Sequence, residues 1–162
     1  MNDEERLKRA LNFAAEKHSG QFRIGGDEYI THPMAVAEIL RKNGYEADYQ
    51  IAALFHDLLE DTDASEEEIR SYGNERILNA VKLLTKETGY KMSEYIERIR
   101  NDEMAFAVKA ADRLHNLRTA IEADEHFRRK YILETREWYM DFSPQISEAV
   151  KKLEESLEEG KF

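Results

Sequence analysis

The chain has 162 residues, enough for one domain with a full core, and its 41% hydrophobic content predicts that it folds. It contains no cysteine, which excludes disulfides and thiolate metal sites and leaves only nitrogen and oxygen ligands. A formal charge of −10 repels a nucleic-acid backbone, so no nucleic acid is expected as a partner, although a few cations in a cleft suffice for a small phosphorylated ligand.

With 2 Pro and 7 Gly against many Glu, Lys, Arg, Leu and Ala, an all-α fold is expected. No run approaches roughly 18 apolar residues, so no membrane span is expected. The charged, acidic start Met1-Asn2-Asp3-Glu4-Glu5-Arg6 is unlike a signal peptide, and a cytoplasmic protein is expected.

Residues 3–17 read as a helix with Leu7, Ala10, Leu11, Ala14 and Ala15 on one face. A loop follows, broken at Gly20 and at Gly25-Gly26. Thr31 resembles an N-cap and Pro33 suits the first turn of a helix that ends near Asn43-Gly44. Residues 47–60 form the most apolar helix, expected at the centre of the fold. Ser65 and Glu68 have capping-box spacing, opening a short helix that Tyr72-Gly73-Asn74 breaks. Further helices are expected over 75–85, 91–100, 103–121, 126–142 and 144–158, divided late by Ser143-Pro144. The expectation is a single domain of about eight helices across 1–162, with the acidic tail from about 154 to 162 frayed.

Ionisable groups interrupt apolar helical sequence at three places. His56-Asp57 stands in Ala52-Ala53-Leu54-Phe55-His56-Asp57-Leu58-Leu59-Glu60-Asp61-Thr62, His32 precedes Pro33, and Asp112 follows Ala110-Ala111. Singly, His32 reads as a turn residue and Asp112 as an ion-pair partner. Jointly, two imidazoles and two carboxylates from three segments are enough to hold one divalent cation with positions open for water and substrate. Glu60 and Asp61 follow His56 and Asp57 by one turn, which places two more carboxylates beside that site. A carboxylate there can orient water and take its proton. The opposing reading, a plain acidic helix C-terminus, runs against the macrodipole.

Lys109, Asp112 and Asn116 share a helix face; Asn116 suits hydrogen bonding to a base or sugar, and Lys109 is expected to pair with an acidic neighbour more readily than with substrate. Arg23, in the glycine-bordered loop, can stack on a base or fork onto a phosphate. Lys130 belongs to the only basic run, Arg128-Arg129-Lys130, which binds a phosphate or balances Glu134 and Glu137. His115, His18 and His126 are expected to be structural or surface residues.

Arg23 with Gly25-Gly26-Asp27-Glu28-Tyr29-Ile30-Thr31-His32-Pro33, then Ala52 to Thr62, then Val108-Lys109-Ala110-Ala111-Asp112-Arg113-Leu114-His115-Asn116-Leu117-Arg118-Thr119 resemble the hydrolase domain of the RelA/SpoT proteins. The likeness is greater still to the stand-alone small alarmone hydrolases of the HD superfamily. It implies an HD-type helical fold with one Mn²⁺ held by His32, His56, Asp57 and Asp112. It also implies that Glu60 and Asp61 position or activate water, and that Arg23 and Asn116 contact a nucleotide. The implied reaction removes pyrophosphate from the 3′ position of guanosine tetra- or pentaphosphate, giving GDP or GTP. With no synthetase segment following, a single activity is expected, and a homo-oligomer is left open.

The chain departs from the family at Ile24, where a basic residue is usual, at Gly25-Gly26-Asp27, and over Glu134-Thr135-Arg136-Glu137-Trp138-Tyr139-Met140-Asp141-Phe142. These departures lie nearest the expected nucleotide. They keep two alternatives open: hydrolysis of another nucleotide, such as a nucleoside 5′-phosphate or NADPH, and a catalytically silent metal-bound sensor.

Overall fold

A computed structural model describes residues 1–159; Gly160, Lys161 and Phe162, the end of the segment expected to fray, lie outside the described residues. Helices begin where short polar side chains can satisfy free backbone N–H groups. Asn2, Ser65, Asn74, Asp102 and Asp124 each accept a hydrogen bond from the backbone N–H three residues on, and Ser65 with Glu68 closes the expected capping box.

Among the described residues there are ten α-helices: α1 (Asp3–Lys17), α2 (Thr31–Lys42), α3 (Ala47–Phe55), α4 (Leu58–Asp61), α5 (Glu66–Tyr72), α6 (Glu75–Leu84), α7 (Met92–Arg100), α8 (Glu103–Thr119), α9 (Glu125–Trp138) and α10 (Pro144–Glu159). A 3-10 turn, Ala120–Glu122, follows α8. The only β pairing among them is an isolated bridge between Phe22 and Glu28, which pins the base of the glycine loop. No described helix is long and apolar enough to cross a membrane.

Several boundaries differ from the sequence reading. Thr31 is the first residue of α2 rather than its cap, and its hydroxyl donates to the Glu28 carbonyl at 2.8 Å. Helix α9 stops at Trp138, four residues short of 142, because Tyr139 and Phe142 turn into the core. Helix α10 runs to Glu159. Residues 47–60 form two helices, not one. The carbonyl of Ala53, which an unbroken helix would offer to the Asp57 N–H, instead lies 3.3 Å from the His56 backbone N and 2.6 Å from His56 Nδ1. This tightening turns the chain at His56-Asp57.

Helix α3 packs against α1, α2, α6 and α8, and α8 packs against α2, α3, α6, α7 and α10. The apolar segment is therefore central, as expected, but shares that place with α8. Their contact faces are rich in alanine, with Ala52, Ala53, Ala105 and Ala111 almost fully buried. Small side chains shorten the distance between helix axes. That close approach brings His32 of α2, His56 at the end of α3 and Asp112 of α8 together.

Candidate metal centre and nucleotide cleft

His32, His56 and Asp112 are 2%, 4% and 6% exposed, so their polar atoms are satisfied within the protein or not at all. His32 Nε2 and His56 Nε2 lie 2.7 and 3.2 Å from the same atom, Asp112 Oδ1. His56 Nε2 also lies 3.1 Å from Asp57 Oδ2. Ring nitrogens of His32 and His56 and a carboxylate oxygen of Asp57 fall within 4.8 Å of one another. The four expected ligands thus converge from three segments.

Each of them is held from behind. His56 Nδ1 donates to the Ala53 carbonyl, which aims Nε2 at the carboxylates. His32 Nδ1 lies 2.8 Å from His115 Nδ1. The Tyr29 hydroxyl donates to Asp57 Oδ2, and the His18 ring packs on the Tyr29 ring at 4.8 Å between centroids. Asp112 receives Lys109 Nζ at 3.1 Å and Asn116 Nδ2 at 3.3 Å.

The electrostatics favour a positive centre. Burial alone would lower the His56 pKa, but the adjacent Asp57 and Asp112 raise it well above the ordinary value. Burial would raise Asp57, yet His56 and the Tyr29 hydroxyl pull it down to about 2. Two carboxylates and two imidazole nitrogens facing one point call for a positive charge between them, which a proton on His56 or a divalent cation would supply. Nitrogen and oxygen donors in this combination fit a divalent ion such as Mn²⁺ or Zn²⁺.

Glu60 and Asp61 form a second carboxylate group with Asp57. Glu60 Oε1 accepts the Lys86 backbone N–H at 2.7 Å, fixing the loop between α6 and α7 against α4. Burial, then the charges of Asp57 and Glu60, push the Asp61 pKa up to about 6.

A cleft of about 490 Å³ opens beside this centre, lined by Arg23, His32, Lys86, Lys109, Asp112, Asn116, Lys130 and Glu134 among others. Arg23 Nη2 donates to Asn116 Oδ1 at 3.1 Å and to Thr119 Oγ1 at 2.9 Å. The loop arginine and the helix asparagine are therefore joined across the cleft. Lys109 is committed to Asp112, as the residue pattern suggested. The basic run divides: Arg128 bonds to Ser156, Arg129 pairs with Glu125, and Lys130 alone reaches the cleft. Glu134 pairs with Arg113 at 2.6 Å instead of with that run.

Sequence reasoning missed Tyr29, Thr119, Lys86 and His115. His115, expected to be a structural or surface residue, stands behind His32. Its place depends on the approach of α2 to α8, for which a single helix wheel carries no signal.

Buried histidines and carboxylates where three helices meet give a helical protein with a candidate nitrogen–oxygen cation site at the foot of a polar cleft. The HD domain matches residues 10–145, and the chain belongs to the HD domain family. It is 37% identical over 167 residues to the guanosine-3′,5′-bis(diphosphate) 3′-pyrophosphohydrolase of Aquifex aeolicus (strain VF5), covering 98% of this chain and 24% of that protein. It is 32% identical over 165 residues to the bifunctional (p)ppGpp synthase/hydrolase SpoT of Escherichia coli (strain K12), covering 95% of this chain and 23% of that one. The chain therefore spans about a quarter of the length of the curated relatives it matches. Among solved structures, a metazoan ortholog of SpoT described as hydrolysing ppGpp superposes with a TM-score of 0.76 at 24% identity, covering 91% of this chain and 94% of that one. That likeness supports the fold.

Proposed function

We propose that the protein is a metal-dependent phosphohydrolase that removes the 3′-pyrophosphate from guanosine tetra- and pentaphosphate, giving GDP or GTP plus pyrophosphate. The observation that carries this reading is the convergence of His32, His56, Asp57 and Asp112 beside a cleft with Arg23 and Asn116 at its mouth. The names of the relatives supply the substrate class. His32, His56, Asp57 and Asp112 would hold one divalent cation, with Mn²⁺ as our assignment. Bound there, the cation supplies Lewis acidity, polarising a phosphate oxygen and acidifying water.

The remaining roles belong to the chain. Asp61 accepts the proton of the attacking water, since its raised pKa places it close to the working pH of a general base. Glu60 orients that water while anchored to the Lys86 backbone. Arg23 and Asn116 hold the nucleotide; Lys130 meets a phosphate at the rim, and Lys109 acts there mainly through Asp112. Water adds to the phosphorus attached to the 3′ oxygen, the bond from that phosphorus to the 3′ oxygen breaks with its electron pair going to the oxygen, which takes up a proton to become the 3′-hydroxyl, and pyrophosphate is released. A cytoplasmic setting suits a cysteine-free chain acting on a nucleotide.

Incubating the purified protein and Mn²⁺ separately with ppGpp, GMP and NADPH, followed by anion-exchange chromatography, tests this reading. GDP plus pyrophosphate from ppGpp supports it. Orthophosphate from GMP or NADPH with ppGpp left intact transfers the activity to another nucleotide, and directs attention to the loop at Ile24.

A further inference from the structure

We infer that His115 is a positioning residue that sets the tautomer and orientation of His32 and ties this imidazole to the Arg23 loop. The inference rests on reading His32 as a metal ligand and is independent of which nucleotide is hydrolysed. His32 Nδ1 and His115 Nδ1 are 2.8 Å apart, the ring centroids are 5.0 Å apart, and the ring planes are inclined by only 25°. Two nearly coplanar rings at this distance meet edge to edge, so the N–H of one points along the lone pair of the other.

One of the two nitrogens must carry the proton, and Arg23 decides which. Arg23 Nη1 also approaches His115 Nδ1, at 3.4 Å, and a guanidinium can only donate. His115 Nδ1 is therefore the acceptor, its one lone pair taken by the His32 Nδ1–H at 2.8 Å and only grazed by Arg23 at 3.4 Å. With Nδ1 protonated, His32 Nε2 would turn its lone pair to a bound cation, which would take the place of the proton now held between Nε2 and Asp112 Oδ1, 2.7 Å apart. His56 reaches the same state through a fixed backbone carbonyl. His32 reaches it through a side chain on α8, three residues from Asp112, so one helix supplies both a carboxylate and the support for an imidazole of α2. Arg23, which touches Asn116 and Thr119 with its other nitrogen, joins the nucleotide cleft to His32 through that one ring.

Mn²⁺ binding to the metal-stripped protein, measured by titration calorimetry without nucleotide, tests the inference. His115→Asn keeps an acceptor near the position of Nδ1; His115→Phe keeps a ring but no acceptor; His115→Ala removes both without crowding the site. The Phe and Ala variants are expected to bind Mn²⁺ about 10–100-fold more weakly, and the Asn variant within about threefold of the parent. Parent-like affinity in the Phe and Ala variants, or an Asn variant as weak as they are, overturns the inference. So does a parent protein that takes up no Mn²⁺, which removes the metal assignment with it. A parent that binds Mn²⁺ but leaves ppGpp intact contradicts the proposed activity and leaves this inference standing.

Discussion

Lys109 Nζ lies 3.1 Å from Asp112 Oδ2, one turn away on α8, and the two side chains are only 11% and 9% exposed. The ammonium thus supports the proposed metal centre. Burial by itself would lower the Lys109 pKa, but Asp112 holds it well above the ordinary value, so the cation persists across the physiological range.

Removing Asp112 therefore does two things. Asp112→Ala takes away a proposed metal ligand and strands the Lys109 charge, a loss of about 3–5 kcal/mol of stability. Asp57→Ala should lose metal and more than about a hundredfold in rate; it also removes the partner of His56 and Tyr29, but should cost less stability than Asp112→Ala because His56 can shed its proton whereas Lys109 stays charged. The double variant Asp112→Ala/Lys109→Met should recover most of the stability and none of the metal. Urea unfolding and metal content of the purified variants check this; full metal occupancy in either alanine variant contradicts the ligand set.

Glu60→Gln preserves the acceptor for the Lys86 N–H, so the loop stays in place while the carboxylate is lost. It should keep metal and lose about 10²–10⁴-fold in kcat. Unchanged turnover removes Glu60 from the reaction.

The pH profile reports on Asp61. A base works deprotonated, so kcat/KM should fall as pH drops through the Asp61 pKa, about 6 in the protein alone. A bound cation favours the carboxylate and moves this limb lower. Asp61→Asn should abolish the limb along with most of the rate; an unchanged acid limb in that variant assigns it to another group.

Arg23 is joined to Asn116 and Thr119 on α8, so Arg23→Ala loses both the proposed nucleotide contact and the anchor of its loop. KM should rise by about 10–100-fold, with a smaller effect of Asn116→Ala in the Arg23→Ala background than alone, since neighbours in one network are not additive. Steady-state kinetics of the two single variants and the double variant measure that coupling.

The helical architecture was legible because composition, caps and apolar spacing all point the same way. Ser65 with Glu68, and Pro33 in the first turn of α2, are local signals that survive folding unchanged. The candidate ligands were legible for a different reason: His56, Asp57 and Asp112 are ionisable residues within apolar helical sequence. What escaped depends on contacts between distant segments. The break at His56-Asp57 comes from an imidazole capturing the Ala53 carbonyl. The His32–His115 contact joins residues 83 apart, and Tyr29 reaches Asp57 across 28. Those partners become visible only once α2, α3 and α8 are packed.

The central claim is that one cation in the His32, His56, Asp57 and Asp112 centre drives removal of the 3′-pyrophosphate. Stripping the protein with a chelator and titrating Mn²⁺ back, while ppGpp conversion is followed by anion exchange, tests it most directly. The account predicts that GDP and pyrophosphate appear in equal amounts and that the rate reaches its plateau at one Mn²⁺ per chain. Full activity in the stripped protein, or none at saturating Mn²⁺, would contradict it.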